Sequence, residues 1–302
     1  MIDGAFVYLL RYGMVAHPLI ADCWLPISDW RPNNQSIGNR QSPNGKMPMS
    51  ASQSHADPIR FDEIALGIVC PMANEGPAAV AFVNEVLAVC DRYGFKSVTF
   101  FAILDNVSKD DTRELLDELA RRHPQLHVVW APENRSVVDA YLRGYREALD
   151  TACDWILEID AGFSHQPSDI HQFFEAMAQG YDCVFATRFA RGGSISETSP
   201  RRRVVSRGGT AITNLLLGTK LTDMTSGFEL FSRPVLQQVL DKGIRSRGPF
   251  FQTEIKTYCR GLRWIEVPIQ YRAASHHISN ASLKDAFSNL WRLFRLRLSG
   301  QL

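Results

Sequence analysis

The sequence predicts an α/β fold with a doubly wound, mostly parallel sheet, and two observations support this. From residue 61 to about residue 189, short apolar runs alternate with segments of helical spacing, the pattern that repeated βα units produce. The apolar runs are nearly continuous, as expected for parallel strands buried on both faces. A sheet of this kind binds ligands at the carboxyl ends of its strands.

Five apolar runs are predicted to be strands, and the segments between them to be helices. The predicted strands are residues 64–71, 96–104, 126–132, 153–160 and 182–189. The predicted helices among them are residues 76–93, 110–123, 136–150 and 167–180. After residue 190 the alternation weakens, and the remaining predicted elements are a helix near 250–260, a strand over 262–271 and an amphipathic helix over 282–298.

A net charge near zero conceals two oppositely charged regions. The 302 residues carry 33 basic and 32 acidic side chains, a balance that argues against a general nucleic-acid binder. Residues 62–160 nevertheless have a net charge of −9, whereas residues 161–302 have a net charge of +9. The basic region predicts an anionic partner, such as a phosphate, a nucleotide or a membrane surface.

Residues 1–60 differ in composition from the rest and are predicted to be a disordered extension. They include a long polar stretch rich in Ser, Asn, Gln and Pro, which can bury little apolar surface. One hypothesis is that the natural start is Met47 or Met49. Residues 61–281 are expected to form the α/β domain, and residues 282–302 a C-terminal amphipathic helix.

The cysteines and the hydropathy both bear on cellular location. Six cysteines show neither CxxC pairing nor zinc-ligand spacing, and most stand within apolar segments. We therefore expect them to be reduced core residues of a cytosolic protein. No apolar run approaches the ~18 residues needed to cross a bilayer, so any membrane contact is expected to be peripheral.

Two acidic residues stand where a parallel sheet binds ligands. Asp105 follows the second predicted strand and Asp160 ends the fourth, so both side chains would project into the crevice at the sheet edge. Each alone is equally well explained as a turn or helix-cap residue. Together with the Asn-Glu-Gly turn after the first strand, they indicate a nucleotide site.

Nine short motifs fall in order along the chain. They are CPMANEG (70–76), LDNVSKDDT (104–112), NRSVVDAYLRGYREA (134–148), EIDAGFSHQP (158–167), ATRFARGGS (186–194), RRRVVSRG (201–208), DMTSGFELFSR (223–233), FQTE (251–254) and EVPI (266–269). On these motifs the chain resembles family 2 glycosyltransferases of the GT-A fold over residues 61–290. It is most similar to the dolichyl-phosphate mannosyltransferase, or polyprenyl-phosphate glycosyltransferase, branch.

The resemblance implies roles for particular residues. Those implied to bind a nucleotide-sugar are Pro71, Asn74, Glu75, Asp105, Asn106 and Asp160. Those implied to be catalytic, near the donor and acceptor phosphates, are Asp160, Arg188 and Arg202. Those implied to lie on the acceptor side are Arg188, Arg202, Ser226 and Glu254.

The sequence also departs from the family pattern. Gly162 replaces the second acid of the Asp-x-Asp motif, which leaves Asp160 to hold a metal and predicts weak or absent binding of Mg²⁺ or Mn²⁺. Asn106 replaces the second acid after the second strand. Ala274 and Asn280 replace the usual Arg and Lys of a later motif, a change that concerns the acceptor phosphate.

The activity implied by the resemblance is transfer of a hexose from a GDP- or UDP-sugar to a polyprenyl phosphate, with inversion, at the cytosolic face of a membrane. A phosphate acceptor is already anionic, so attack on the sugar carbon needs no strong base. Transfer to a sugar hydroxyl in surface polysaccharide synthesis would need a base, for which His165 is a candidate, although a hydrogen-bonded histidine is the more common finding. A degenerate nucleotide-sugar-binding protein without turnover is a further alternative. The helix over 282–298 either lies on the membrane or docks on the domain.

Overall fold

The predicted strands meet in a central sheet. A computed structural model describes residues 59–196, 200–272 and 280–302, with the side chains of 200–205 outside that description. The strands are β1 (Ala65–Pro71), β2 (Ser97–Leu104), β3 (Leu126–Trp130), β4 (Trp155–Glu158), β5 (Cys183–Thr187), β6 (Ser194–Ser196), β7 (Glu229–Ser232), β8 (Trp264–Pro268) and β9 (Gln270–Arg272). Seven of them form a sheet in the order β3-β2-β1-β4-β7-β5-β8, and β6 pairs with β9.

Helices connect most of these strands. They are α1 (Pro77–Asp91), α2 (Thr112–Ala120), α3 (Val137–Asp150), α4 (Ile170–Ala178), α5 (Pro200–Leu217), α6 (Arg233–Lys242), α7 (Phe251–Tyr258) and α8 (Asn280–Leu298). The start of α3 shows how the sequence sets a boundary, because the Ser136 hydroxyl accepts a bond from the Asp139 N–H (3.2 Å) and so caps the helix.

The mostly parallel α/β architecture with a C-terminal amphipathic helix is confirmed. The exception to parallel pairing in the central sheet is β7, which runs antiparallel to both β4 and β5. Neither β7 nor α6 was among the predicted elements. The strand has only four residues and begins with the fully buried Glu229, so it shows neither an apolar run nor the alternation of a half-buried strand.

The core lies on both faces of the sheet. Helices α1, α2 and α4 cover one face, whereas α3, α6 and α7 cover the other. Gly144 allows a close contact between α3 and the sheet, because a Cβ at this position would overlap the side chain of Val69 in β1 and lie 3.2 Å from Ile103 Cγ1. The absence of a side chain at Gly144 therefore lets α3 lie directly on β1 and β2.

Helix α8 docks on the domain and exposes its other face. Leu293 is fully buried, and Arg292 donates to the buried Glu254 of α7. Arg297 Nη1 donates to the Leu215 carbonyl (2.8 Å) at the end of α5. Phe287 of α8 is 57% exposed. The structure therefore shows α8 docked on the domain, one of the two alternatives for this helix. The described residues leave the exposed apolar side chains of α8 uncovered.

Some predictions concern parts of the chain that the structure does not describe. Residues 1–58, which include Met47 and Met49, lie outside the described residues, and the predicted division at residue 60 stays a prediction. The cysteines that are described are free and buried, namely Cys70, Cys90, Cys153, Cys183 and Cys259. Within the described ranges, no helix is both long and apolar enough to cross a bilayer.

Candidate active site

Predicted site residues converge on one edge of the sheet. Pro71 ends β1, Asp105 directly follows β2, and Asp160 lies two residues beyond β4. Because β1 pairs in parallel with both β2 and β4, these three strand ends point to the same side. Arg188 directly follows β5, farther along the edge, since β7 separates β4 from β5.

Asn74 joins the loop after β1 to the loop after β2. Its Nδ2 donates to the Val107 carbonyl (3.1 Å), and its Oδ1 accepts from the Lys109 N–H (2.8 Å). The residue has φ = 57°, a left-handed conformation that Asn tolerates better than most residues. These bonds give Asn74 a positioning role next to Glu75.

Asp105 and Asn106 shape the second loop. Asp105 Oδ1 accepts from the Val107 N–H (2.8 Å), which makes a local Asx turn. Asn106 Nδ2 donates to the Pro132 carbonyl (2.8 Å) in the loop after β3. An ionised carboxylate has no proton to donate, so the amide at Asn106 makes a link between loops that the family's usual acid would not.

Thr112 holds the backbone around Glu75. Its Oγ1 accepts from the N–H groups of Glu75 (2.9 Å) and Gly76 (2.8 Å), and it donates to Asp110 Oδ1 (2.7 Å). Burial, followed by the negative charges of Asp110 and Asp160, raises the pKa of Glu75. The Glu75 carboxylate therefore lies in a half-buried part of the site, close to other acidic side chains.

Asp160 is oriented from two sides. Tyr141 of α3 donates its hydroxyl proton to Asp160 Oδ1, and the backbone N–H of Asp160 donates to His165 Nδ1 (3.2 Å). The Asp160 side chain is still 42% exposed. Its carboxylate is thus held in place while it stays accessible from the crevice, as a group that meets a ligand must be.

His165 is a buried positioning residue. Its side chain is 1% exposed, and burial lowers its pKa to about 4. The ring stacks on Phe228, with 5.0 Å between centroids. Because Nδ1 accepts the Asp160 N–H, the ring is neutral with its proton on Nε2. The structure agrees with a hydrogen-bonded histidine and not with a general base.

Gly162 lies against the Glu75 carboxylate. A Cβ at Gly162 would be 2.8 Å from Glu75 Oε2, and the glycine has φ = 71°. The place where the family motif has its second acid is therefore covered by another acidic side chain. No group of three or more His, Cys, Asp or Glu side chains in the described ranges is arranged to hold a metal ion.

Arg188 is paired within the protein. Its guanidinium donates two bonds to the fully buried Asp223 and a third to Thr225 Oγ1 (2.7 Å). Burial alone would raise the pKa of Asp223, but Arg188 outweighs that effect and lowers it to about 2. Asp223 was not singled out from the sequence, although it opens the motif DMTSGFELFSR. The positive charge of Arg188 is therefore largely balanced before any ligand binds.

Two acceptor-side candidates lie away from open solvent. Ser226 is 2% exposed, and its hydroxyl has no hydrogen-bond partner among the described residues. Glu254 is fully buried and accepts from the Ser246 N–H (2.9 Å), the Tyr258 hydroxyl (3.0 Å) and Arg292. In the structure, the Glu254 carboxylate anchors α8 and does not line the crevice.

Other residues of the predicted acceptor side fall partly outside the described residues. The side chain of Arg202, in the first turns of α5, is among those not described, and so is the whole of Ala274. Asn280 is the first residue of α8 and is exposed. The implied roles of Arg202 and Ser226 toward a phosphate stay predictions.

A buried polar cluster lies beneath the sheet edge. Glu158 and Glu229 are register partners on β4 and β7, and both are fully buried. Tyr145 and Gln252 donate to Glu158, whereas Lys256 Nζ lies 3.2 Å from Glu229 Oε1. Burial and the charge of Glu229 raise the pKa of Glu158, and burial raises that of Glu229 to about 7 even though Lys256 opposes the shift.

The mostly parallel sheet and the acidic residues at the carboxyl ends of its strands define an α/β protein with a candidate ligand site, and comparisons with known proteins identify its family. The family described as "Glycosyl transferase family 2" matches residues 68–240, more than half of the chain. The chain belongs to this family and is a glycosyltransferase. The resemblance inferred from the motifs is thereby confirmed.

This chain covers most of the length of two curated relatives. The polyprenol monophosphomannose synthase of Mycolicibacterium smegmatis is 26% identical over 238 residues, which are 78% of this chain and 88% of the relative. The undecaprenyl-phosphate mannosyltransferase of Micrococcus luteus is 30% identical over 171 residues, which are 56% of this chain and 70% of the relative.

Solved structures confirm the GT-A fold. The glucosyl-3-phosphoglycerate synthase of Mycobacterium tuberculosis in complex with UDP has a TM-score of 0.56 at 18% identity, over 77% of this chain and 80% of that chain. The same enzyme in complex with Mn²⁺, UDP and phosphoglyceric acid has a TM-score of 0.56 at 16% identity, over 76% and 78%.

Proposed function

We propose that this glycosyltransferase moves a hexose from a GDP- or UDP-sugar to a polyprenyl phosphate with inversion at the sugar carbon. The observation that supports this class of acceptor is the likeness to a polyprenol monophosphomannose synthase over 78% of the chain and to an undecaprenyl-phosphate mannosyltransferase over 56% of it. The donor class is supported by the family and by the acidic sheet edge built from Glu75, Asp105 and Asp160.

The reaction needs one bond to form and one to break. An oxygen of the acceptor phosphate attacks the anomeric carbon while the bond from that carbon to the donor diphosphate breaks, and the nucleoside diphosphate leaves. A phosphate monoester is largely ionised near neutral pH, since its second pKa is about 6, so no proton has to be removed from it. This agrees with a neutral, buried His165 that is not placed to act as a base.

The chain's own residues then bind and orient the substrates. Asp160, fixed by Tyr141 and the His165 contact, offers an accessible carboxylate where the donor diphosphate is expected. A divalent cation bound there would neutralise the charge that develops on the leaving diphosphate. The resemblance assigns Arg202, in the basic segment at the start of α5, to a second phosphate.

We further propose that the enzyme works as a peripheral protein on the cytosolic face of an anionic membrane. The exposed apolar side chains of α5 and α8, here called the apolar face, are Ile212, Leu215, Leu283, Phe287, Trp291 and Leu298. Lys284 and Arg295 are exposed on the same helix α8, which complements anionic lipid. Buried free cysteines agree with a reducing compartment.

Vesicle flotation tests the membrane proposal. The double variant Phe287→Ser/Trp291→Ser is expected to lose most of its binding to vesicles that contain anionic lipid, because it removes two large apolar anchors. Val137→Ser is the matched control, since Val137 is 50% exposed on α3. Equal flotation of the double variant and the control variant would remove the apolar face from the proposal.

Transfer of label tests the activity itself. Purified protein is incubated with radiolabelled GDP-mannose or UDP-glucose, together with polyprenyl phosphate in vesicles or with a polysaccharide acceptor. The proposal predicts label in the organic extract only when the lipid phosphate is present. Label in the polysaccharide instead would favour transfer to a sugar hydroxyl. Donor binding without transfer to either acceptor would favour a binding protein without turnover.

A further inference from the structure

The site lacks one acid of its family motif, and a neighbouring acid covers the gap. Gly162 stands at the second acidic position, where a side chain would begin 2.8 Å from Glu75 Oε2 and 3.4 Å from Glu75 Oε1. Both carboxylate oxygens of Glu75 thus lie over the backbone of Gly162. An aspartate at position 162 would therefore require the Glu75 carboxylate, the end of a flexible side chain, to move from its present position.

The position of Glu75 is built by the surrounding chain. Its backbone is fixed by the buried Thr112, which accepts from the N–H groups of both Glu75 and Gly76. Gly76 has φ = 50°, a conformation that favours glycine and turns the chain into α1. The backbone that carries Glu75 is therefore held between the end of β1 and the start of α1, and its carboxylate lies against the loop after β4.

Glu75 and Asp160 belong to the loops that follow the neighbouring strands β1 and β4, and the Glu75 carboxylate lies over Gly162, two residues beyond Asp160. Ionised carboxylates on two adjacent loops repel each other unless a cation or a proton lies between them.

The donor set fits a divalent cation that shares the substrate's phosphates. Mg²⁺ and Mn²⁺ prefer oxygen ligands. Mg²⁺ is commonly bound by one or two carboxylates together with waters and substrate phosphates. Asp160 and Glu75 supply two carboxylates, and the absence of a three-acid group in the described residues leaves the remaining ligands to water and the diphosphate.

We propose that Glu75 replaces the missing second acid and, with Asp160, holds the divalent cation on the donor diphosphate. The inference rests on the proposed function, because the diphosphate of a nucleotide-sugar completes the site. It changes the role of Glu75 from a nucleoside contact, as the resemblance implies, to a metal ligand. It also changes the expectation from one carboxylate at the metal to two.

Direct measurement of Mn²⁺ binding tests this without any turnover. Electron paramagnetic resonance measures the free Mn²⁺ while the full chain is titrated with the metal. One titration contains GDP and a second contains UDP. Glu75→Gln is expected to weaken Mn²⁺ binding by about tenfold or more, and Asp160→Asn by a similar factor. The matched control is Asp110→Asn, which removes a charge beside Glu75 but no proposed ligand, and it is expected to have a much smaller effect.

A carboxylate swap gives a second, independent test. Glu75→Ala should weaken Mn²⁺ binding, and Glu75→Ala/Gly162→Asp should restore most of it, because the removed side chain leaves room for an aspartate, and aspartate is among the residues found at positive φ. Circular dichroism confirms that each variant is folded.

Several outcomes would overturn the inference. These are unchanged binding in Glu75→Gln, an equal loss in Asp110→Asn, no restoration in the swap, or no Mn²⁺ binding by the wild type with either nucleotide. The assay of sugar transfer is separate. If the wild type transfers sugar to the lipid but Glu75→Gln binds Mn²⁺ as tightly as the wild type, the inference is rejected and the proposed function is kept. If Mn²⁺ binding depends on Glu75 but no sugar is transferred to the lipid, the proposed function is rejected and the inference is kept.

Discussion

The guanidinium of Arg188 makes a two-point pair with the carboxylate of Asp223, with Nε to Oδ2 at 2.7 Å and Nη2 to Oδ1 at 2.8 Å. The Arg188 backbone N–H also donates to Asp223 Oδ2 (3.1 Å). This pair joins the end of β5 to the loop before β7, so it fixes the sheet edge on the side away from Asp105. The resemblance assigns Arg188 to phosphate binding, but in this structure its guanidinium holds two segments of the chain together through Asp223.

Asp223→Asn is therefore expected to destabilise the fold. Removing one partner of a buried ion pair leaves the other charge without compensation, which costs about 3 to 5 kcal/mol of unfolding free energy. Chemical denaturation followed by circular dichroism measures this. The control is Asp182→Asn, which breaks the exposed pair with Arg263 and should change stability far less. Similar small losses in both variants would contradict a structural role for the pair.

The buried carboxyl of Glu229 predicts a pH dependence of stability. Its pKa is about 7 in the folded protein, above its ordinary value of 4.5, so the unfolded chain loses this proton first as pH rises. The contribution of the protonated Glu229 to the free energy of unfolding is complete below about pH 4.5 and is lost as the pH rises to about 7. Relative to Glu229→Gln, the wild type should lose unfolding free energy across that window. A difference between the two proteins that does not change with pH would contradict the raised pKa.

His165→Asn separates positioning from base catalysis. Asparagine keeps an oxygen that can accept the Asp160 N–H, so we expect kcat to fall by less than about tenfold. Loss of a general base typically costs about 10² to 10⁴ in rate. A loss in that range, with an unchanged thermal midpoint, would show that His165 takes a proton. His165→Ala, which removes the acceptor altogether, should be the more damaging substitution.

Gly144→Ala tests the packing of α3 on the sheet. The added methyl group would overlap the Val69 side chain and lie 3.2 Å from Ile103 Cγ1, and overpacking of this kind costs about 1 to 3 kcal/mol. Gly261→Ala is the control, because a Cβ there would meet nothing within 4 Å. Equal thermal midpoints for the two variants would show that α3 can shift without cost.

The parts of the fold that could be predicted from the sequence are those with a local signal. β1, β2 and β5 are apolar runs, and the acidic residues at the sheet edge follow such runs directly. β7 has no such signal, because its first residue, Glu229, is a buried acid whose partners Glu158 and Lys256 are distant in sequence. Only the strand order brings them together.

The site was harder to predict because several contacts depend on pairs across the fold. Tyr141 reaches Asp160 from α3, and Arg292 of α8 binds Glu254, which keeps that predicted acceptor-side residue out of the crevice. Neither pair has a characteristic spacing. The motif order located Asp160 and Gly162 correctly at the sheet edge, but only the geometry shows that Glu75 lies over Gly162.

Mass spectrometry of the extracted lipid tests the central claim most directly. Wild-type protein and Asp160→Asn are each incubated with polyprenyl phosphate in vesicles and with GDP-mannose or UDP-glucose in turn. We predict that the wild type converts the lipid phosphate to a hexosyl phosphate lipid with one of these donors, and that Asp160→Asn forms little or none. An unchanged lipid with every donor, or equal product from Asp160→Asn, would contradict the account.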